Sequence, residues 1–286
     1  MSRRRPSTVP ALGRLALAML LAAALAGCAL STGAAVGHPA ARASRASRAP
    51  RAVPTRPPLR AYRPTTVVGL GDSVMAGSAC GCAGPVAEYA RVVGRRSGQR
   101  VVDINLGRNG ATTSTLLSRL HQRGAGRDVM RARVVLVIIG ANDLLPQRRR
   151  WEDSGCPPSC YAPAVAAMGR RIRRVLTRVR TLRAHSRGTV LVADYWNVFK
   201  DGKVARNDGG QPLIAWSRRV SRAANRAICR AARGEDATCV DTYTAFVGND
   251  RDPTGLLADD GDHPNPKGVA LLVRQLVRAT PAGEFR

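Results

Sequence analysis

Residues 134–139 read Val-Val-Leu-Val-Ile-Ile, and this apolar run decides the fold class. It is short, continuous and rich in β-branched side chains, which is typical of a strand that is buried on both faces. Strands of that kind belong to parallel sheets whose two faces are covered by helices. The run therefore predicts a buried strand of an α/β protein.

On either side of this strand, the chain alternates between strand and helix patterns. Four further strands are predicted at 66–70, 101–106, 189–193 and 238–242, and helices at 85–97, 112–122, 161–185, 212–232 and 266–278. The helix 161–185 is the longest. Its apolar residues recur every three to four positions with arginines between them, which indicates one buried and one solvated face. Alternation repeated five times predicts one domain with a five-stranded parallel sheet and helices on both sides.

Polar residues gather in four loops of this predicted framework. Gly71-Asp72-Ser73 follows the first strand, 105–110 (Asn-Leu-Gly-Arg-Asn-Gly) the second and 140–143 (Gly-Ala-Asn-Asp) the third, and 260–265 (Asp-Gly-Asp-His-Pro-Asn) precedes the last helix. Ligands of parallel α/β sheets bind beyond the carboxyl ends of the strands. We therefore expect the chemistry of the protein in these loops.

Three of the loop residues have the side chains that an activated nucleophile requires. The hydroxyl of Ser73 is too weak a nucleophile without a base, and His263 can accept its proton and return it to a leaving group. Asp260 lies three residues before His263, a spacing that places both side chains on one side of a turn, so that the carboxylate can orient the imidazole. Asp259 and Asp262 are the alternatives for this role.

Together and in this order, the four loops resemble the four sequence blocks of the SGNH hydrolases, also called the GDSL lipase/esterase family. The resemblance covers residues 65–280. It implies a flavodoxin-like, three-layer α/β/α sandwich and hydrolysis of carboxylic esters without a metal or another cofactor. It also implies an oxyanion hole made by the backbone N–H groups of Ser73 and Gly110 and by the side-chain amide of Asn142.

The expected function is that of a serine hydrolase, a lipase or esterase that forms an acyl-enzyme with a small-molecule or lipid ester. A carbohydrate O-acetylesterase and a catalytically silent envelope-binding lipoprotein are the alternatives. The loops 144–160 and 197–211 are expected to shape the substrate pockets. Three large aromatic side chains lie in or next to these loops and either line those pockets or belong to the edge of the core: Trp151, Trp196 and Phe199.

The amino-terminal segment has the pattern of an export signal. Arg3, Arg4 and Arg5 precede an apolar stretch that ends in Leu-Ala-Gly-Cys28, which resembles a bacterial lipobox. We expect a signal peptide over 1–28 with lipidation of Cys28, the alternative being an ordinary signal that is cleaved elsewhere. Residues 29–64, rich in Ala, Arg and Pro, are predicted to be a disordered tether, and 65–286 to be the hydrolase domain. The protein is thus expected to be exported and anchored by lipid to the outer face of the cell membrane.

The net charge of +27 bears on the partners of the protein. Residues 1–64 hold eleven arginines and no acidic residue, so +16 remains on residues 65–286. No nucleic-acid-binding motif accompanies this charge, and nucleic acid is not predicted as a partner. Instead, we expect a salt-sensitive attraction to an anionic membrane or cell-wall surface. No feature of the sequence sets the oligomeric state.

Six cysteines besides Cys28, an even number in an exported chain, predict three disulfides. Cys229 and Cys239 join a helix end to the next strand and are expected to pair. In the sheet order of the family that the chain resembles, the first and third strands are neighbours, which implies bridges across the loops between the pair Cys80 and Cys82 and the pair Cys156 and Cys160. A local Cys156–Cys160 bridge and a four-cysteine zinc site are the alternatives.

Overall fold

The computed structural model describes residues 64–186 and 188–285. The predicted signal peptide 1–28, its Cys28 and residues 29–63 of the predicted tether lie outside the described residues. Within the described part of the chain, no helix has the length and apolar character needed to cross a membrane.

A parallel sheet of five strands forms the centre of the molecule, in the order β2-β1-β3-β4-β5. The strands are β1 (Thr65–Gly71), β2 (Val101–Gly107), β3 (Val134–Ile138), β4 (Thr189–Ala193) and β5 (Thr238–Val240). All five residues of β3 are buried, as its apolar run predicted. β1 pairs with both β2 and β3, so three of the polar loops described above leave the sheet side by side.

Helices cover the sheet in two groups. They are α1 (Ser73–Ala76), α2 (Gly84–Ser97), α3 (Thr113–Leu120), α4 (Arg123–Arg131), α5 (Leu145–Ser154), α6 (Pro158–Leu182), α7 (Gly202–Arg233), α8 (Tyr243–Val247) and α9 (Pro266–Ala279). α2 packs on α9, whereas α6 packs on α3 and α7. The crossover through α2 runs in the opposite direction along the sheet from the later ones, and right-handed crossovers then place the two groups on opposite faces. The predicted three-layer α/β/α sandwich is confirmed.

The long helix α6 shows why these residues form these elements. Val165, Met168 and Ile172 on its apolar stripe are buried, whereas the neighbouring Arg170 and Arg173 are exposed. Burying each of these apolar side chains stabilises the fold by about 1.5–3 kcal/mol relative to exposure. The helix is therefore held by the face that it turns to the sheet rather than by the intrinsic preferences of its residues.

Two segments expected to be loops contain helices instead. Most of 144–160 forms α5 and the start of α6, and most of 197–211 forms the first turns of α7. The expectation was wrong because α5 (Leu-Pro-Gln-Arg-Arg-Arg-Trp-Glu-Asp-Ser) has almost no apolar stripe. α7 contains Gly209, Gly210 and Pro212, which normally end a helix. The structure keeps both parts of α7 by placing a kink at Gly210, whose φ of +63° is accessible to glycine at little cost.

The structure corrects the predicted disulfides between loops. Cys80 pairs with Cys82 and Cys156 with Cys160, so both bridges are local, and the second is the alternative considered above. The Cα atoms are 5.1 Å and 5.2 Å apart, within the range that a disulfide spans. The turn at Gly81 and the first turn of α6 bring each pair together, which a strand neighbourhood cannot reveal. Cys229 pairs with Cys239 as predicted. In these pairings, none of the four cysteines of the zinc alternative offers a thiolate to a metal ion.

Candidate active site

The strand β1 delivers Ser73 to the carboxyl edge of the sheet. The strand ends at Gly71, where a Cβ atom would lie 2.0 Å from the carbonyl oxygen of Ile138, so only glycine fits against β3. Asp72 caps the short helix α1, and its Oδ1 accepts a hydrogen bond from the Val74 N–H at 3.0 Å. Ser73 is thereby fixed as the first residue of a helix that begins directly after a buried strand.

Ser73, His263 and Asp260 form a continuous hydrogen-bonded chain. Ser73 Oγ lies 2.7 Å from His263 Nε2, and His263 Nδ1 lies 2.7 Å from Asp260 Oδ2. The sequence prediction named these three residues from segments almost 190 positions apart. The structure brings them together in the order nucleophile, base and orienting carboxylate.

Asp260 is the partner of the imidazole, and the two alternative carboxylates are not. Its Oδ1 accepts the backbone N–H groups of Asp262 at 2.9 Å and His263 at 3.0 Å. Partial burial alone would raise the pKa of Asp260, but these two N–H groups and the His263 ring together lower it below its usual value. Asp259 is exposed, and Asp262 contributes its backbone N–H to the arrangement.

The loop that carries His263 is fastened at several points. The Trp196 Nε1–H donates to the carbonyl of Asp262 at 3.2 Å, and the backbone N–H of Asp201 donates to that of Gly261 at 2.8 Å. Asn265 caps α9 and also donates from Nδ2 to the Leu257 carbonyl at 2.9 Å. These contacts hold the imidazole in place from the loops around β4, and no pattern in the sequence points to them.

The two other segments of the predicted oxyanion hole lie against each other. Asn142 Nδ2 donates one hydrogen to the carbonyl of Ala111 at 2.9 Å, which leaves its second N–H free of that bond. Gly110, the residue before Ala111, is exposed and has a φ of +70°, a conformation that favours glycine. The backbone N–H of Arg108 donates to the Gly71 carbonyl at 3.0 Å. The loop 108–111 therefore connects the serine loop to the asparagine loop.

A buried carboxylate that the sequence analysis did not single out reinforces this connection. Asp143, next to Asn142, accepts the Thr113 N–H at 2.8 Å, the Thr113 hydroxyl at 2.6 Å and Arg171 Nη2 at 2.9 Å. The side chain of Asp143 is only 3% exposed, so these bonds form away from water. Arg171 lies on α6, which places a helix surface in direct contact with the residues beside the predicted oxyanion hole.

Two further carboxyl groups close to the triad are perturbed by burial. Burial raises the pKa of Asp72 to about 7, against the opposing effect of a hydrogen bond from Tyr195. Burial also raises the pKa of Asp262 to about 6, against the attraction of the His263 ring. Three carboxyl groups thus interact with His263, with the pKa lowered for Asp260 and raised for Asp72 and Asp262.

The large aromatic side chains near the site belong to the core. Trp196 is 1% exposed and stacks on Phe246, and Phe199 is 4% exposed and stacks on Trp216. Trp151, which is half-buried, also stacks on Trp216. In residues 64–186 and 188–285, no group of three or more His, Cys, Asp and Glu side chains is arranged to hold a metal ion.

Comparison with known proteins gives the site a context. Residues 70–271 match the sequence model of the GDSL-like Lipase/Acylhydrolase family. No curated protein matches the chain in sequence. The solved structures that it resembles include the lipase Lip_vut3 from a goat rumen metagenome, with a TM-score of 0.63, 20% identity and coverage of 75% of this chain and 97% of that chain.

Two further structures have the same architecture. A putative GDSL-like lipase from Parabacteroides merdae gives a TM-score of 0.55 at 13% identity, over 76% of this chain and 95% of that chain. An acetyl-xylooligosaccharide esterase from Geobacillus gives 0.54 at 18% identity, over 78% of this chain and 96% of that one. At such identities, these structures support the fold, and the family model carries the relationship.

Proposed function

Because the chain belongs to the GDSL-like lipase/acylhydrolase family and is therefore a carboxylic ester hydrolase, we propose that Ser73 carries the reaction through an acyl-enzyme. The observation that supports this most directly is the 2.7 Å contact between Ser73 Oγ and His263 Nε2. It gives a serine hydroxyl a base within hydrogen-bond reach, which a nucleophilic serine requires.

The proposed reaction has two halves that use the same groups. His263 takes the proton of Ser73 as Oγ bonds to the acyl carbon, and then gives it to the alcohol oxygen as the ester C–O bond breaks. Water attacks the acyl-enzyme in the second half, with its proton passing to His263 and then back to Ser73 Oγ. Asp260 stabilises the imidazolium in each half through the 2.7 Å contact to Nδ1.

The negative oxygen of each tetrahedral intermediate needs donors that are already in place. The candidates are the N–H groups of Ser73 and Gly110 and the second N–H of Asn142, each worth on the order of 3 kcal/mol in the transition state. The bond from Asn142 to Ala111 supports this assignment, because it fixes the orientation of the amide beside the Gly110 loop.

Substitution of the nucleophile tests the proposal. The Ser73→Ala variant should lose turnover of p-nitrophenyl acetate and labelling by a fluorophosphonate probe. The control Ser118→Ala, which changes an exposed serine on α3, should keep both. Labelling of Ser73→Ala at the rate of the unsubstituted protein would refute the assignment. An unsubstituted protein that neither turns over esters nor takes the label would support a silent envelope-binding lipoprotein.

Carbohydrate O-acetylesterase is a second candidate, because Trp196 and Phe199 are buried in the core and are not available to line a channel for a long acyl chain. Arg108 and Asn109, in the loop before Gly110, are exposed and polar. A series of p-nitrophenyl esters from acetyl to palmitoyl, together with acetylated xylan, separates the candidates. Activity restricted to acetyl groups supports the deacetylase, whereas activity that extends to long chains supports a lipase.

We further propose that the protein is exported and anchored through Cys28, and that its basic surface is attracted to anionic membrane or wall polymers. The three disulfides support an oxidising compartment. The lipobox-like segment supports a lipid anchor. Radiolabelled palmitate should enter the protein in a bacterial host that processes lipoproteins. It should not enter a Cys28→Ala variant, and equal labelling of both would contradict the anchor.

A further inference from the structure

One buried hydroxyl touches both the loop that carries Ser73 and the loop that carries Asn142. Tyr195 follows β4 and is 1% exposed. Its O–H donates to Oδ2 of Asp72, the residue before Ser73. Its oxygen lies 3.5 Å from the backbone N of Ala141, the residue before Asn142, which is placed to donate to it. The side chain thus reaches from a third strand to the neighbours of two residues of the proposed site.

Asp72 transmits this contact to the nucleophile. Its Oδ1 holds the N–H of Val74 and its own N–H donates to the Ile138 carbonyl at 3.1 Å, so its position fixes the start of α1. Ser73 lies between Asp72 and Val74, and the Asp72 carboxyl holds the Val74 N–H. A shift of the Asp72 carboxyl therefore moves the Ser73 hydroxyl relative to His263.

We propose that Tyr195 is a positioning residue for ester hydrolysis, in which a single hydroxyl sets the nucleophile and the oxyanion-hole amide at a fixed separation. The role rests on the proposed function of Ser73. It does not require Tyr195 to touch the substrate. It requires only that the hydroxyl keep its contacts to the Asp72 carboxyl and the Ala141 N–H.

The protonation state of Asp72 gives the role a measurable signature. The groups that act on its carboxyl are the Tyr195 hydroxyl and the Val74 N–H, together with the charges of Asp262 and His263. Burial raises the pKa of the Tyr195 hydroxyl, which therefore remains a donor across the working pH range. Because this donor lowers the pKa of Asp72, its removal should push that pKa higher and make the carboxyl protonate at a less acidic pH.

The test compares Tyr195→Phe with Tyr89→Phe. Tyr89 is equally buried, and its hydroxyl lies 2.7 Å from Thr280 Oγ1, a contact with the last helix and not with the site. Each variant removes one buried hydroxyl, which makes two contacts at Tyr195 and one at Tyr89. Only Tyr195→Phe should lower kcat for p-nitrophenyl acetate, by about tenfold or more, with KM within about twofold. Equal kcat values in the two variants would overturn the proposal.

The pH dependence gives a second readout. The acid limb of kcat/KM should move to higher pH in Tyr195→Phe and stay in place in Tyr89→Phe. In an Asp72→Asn background, the same Tyr195→Phe substitution should produce no such movement, because the group that titrates is gone. A shift that persists without Asp72 would overturn the proposed pathway.

Asp72→Asn also serves if Tyr195→Phe does not fold, because it changes the same contact from the other side. It should lower kcat with little change in KM, and an unchanged kcat would count against the role of Tyr195. If the unsubstituted protein hydrolysed no ester and took no fluorophosphonate label, the proposed function itself would be wrong. If it were labelled normally and the variants kept full activity, only the role of Tyr195 would be wrong.

Discussion

At the scale of single residues, the two oxygens of Asp260 have separate tasks. Oδ2 contacts the imidazole, and Oδ1 accepts the two N–H groups that shape the turn. This division explains how a short loop can hold a carboxylate against the imidazole without help from another strand. The same contacts lower the pKa of Asp260, which keeps the carboxylate charged at neutral pH.

Replacing Asp260 with Asn should therefore retain the turn and damage the reaction. The amide carries no charge to stabilise the imidazolium, and kcat/KM should fall by roughly two to four orders of magnitude. Kinetics with p-nitrophenyl acetate measure the effect. Asp259→Asn, at the exposed neighbour, is the control and should change the rate little. Equal losses in the two variants would show that Asp260 has no special role.

Asp72 should make stability depend on pH in a direction opposite to that of most carboxylates. Burial raises its pKa to about 7 in the folded protein, so the unfolded chain loses this proton first as the pH rises from about 4. The folded state then binds more protons, and its stability falls between pH 4 and pH 7. The measurement is the melting temperature of the unsubstituted protein minus that of Asp72→Asn. This difference should be several degrees lower at pH 7 than at pH 5.

The control for this measurement is Asp103→Asn, which changes an exposed carboxylate on the edge strand β2. Its melting temperature should follow that of the unsubstituted protein at both pH values. If the difference for Asp72→Asn were the same at pH 5 and pH 7, the carboxyl would not be titrating in that interval.

At the scale of elements, the strength of the sequence pattern decided what could be predicted. The strand β3 and the helix α6 bury nearly all the residues of their apolar patterns, and both were predicted within a few residues. The helix α4 was missed because Gly124 and Gly126 weaken its pattern, and α5 because it has few apolar residues. Tertiary contacts hold these helices, and no local pattern records such contacts.

The residues of the candidate site also differ in whether the sequence alone could identify them. Ser73, His263 and Asp260 could be named because a reacting group must have a particular chemistry. Tyr195 and Arg171 could not, because a tyrosine after a strand and an arginine on a basic helix have many ordinary explanations. The sheet order places β3 between β1 and β4, and only the contacts of Tyr195 with Asp72 and Ala141 show that it reaches the loops after both β1 and β3.

The contact between α6 and the asparagine loop should affect both rate and stability. In Arg171→Met, Asp143 keeps its two bonds to Thr113 and loses its bonds to the guanidinium. We expect a loss of about 2 kcal/mol in unfolding free energy, measured by urea denaturation, and a lower kcat from a displaced Asn142. Arg174→Met, at an exposed position of the same helix, should change neither. Full activity in Arg171→Met would show that the contact between Arg171 and Asp143 does not position Asn142.

At the scale of the whole molecule, the excess of arginine should be visible in surface binding. The charge of +16 on residues 65–286 predicts sedimentation of the Cys28→Ala protein with vesicles that contain anionic lipid. Raising the salt from about 0.1 M to 1 M shortens the screening length from about 10 Å to 3 Å and should release it. Vesicles of neutral lipid are the control. Binding that does not respond to salt would exclude charge as its cause.

The course of β1 determines which side of the domain remains accessible when the protein is tethered by its amino-terminal end. The strand enters the sheet at Thr65 and ends at Gly71, about 20 Å away at the opposite edge and two residues before Ser73. A bead or sensor chip coupled at Pro64 would hold the domain at the edge of the sheet where β1 begins, opposite to the edge that carries Ser73. Substrate could then diffuse freely to the catalytic serine, and immobilisation should leave the rate per molecule unchanged.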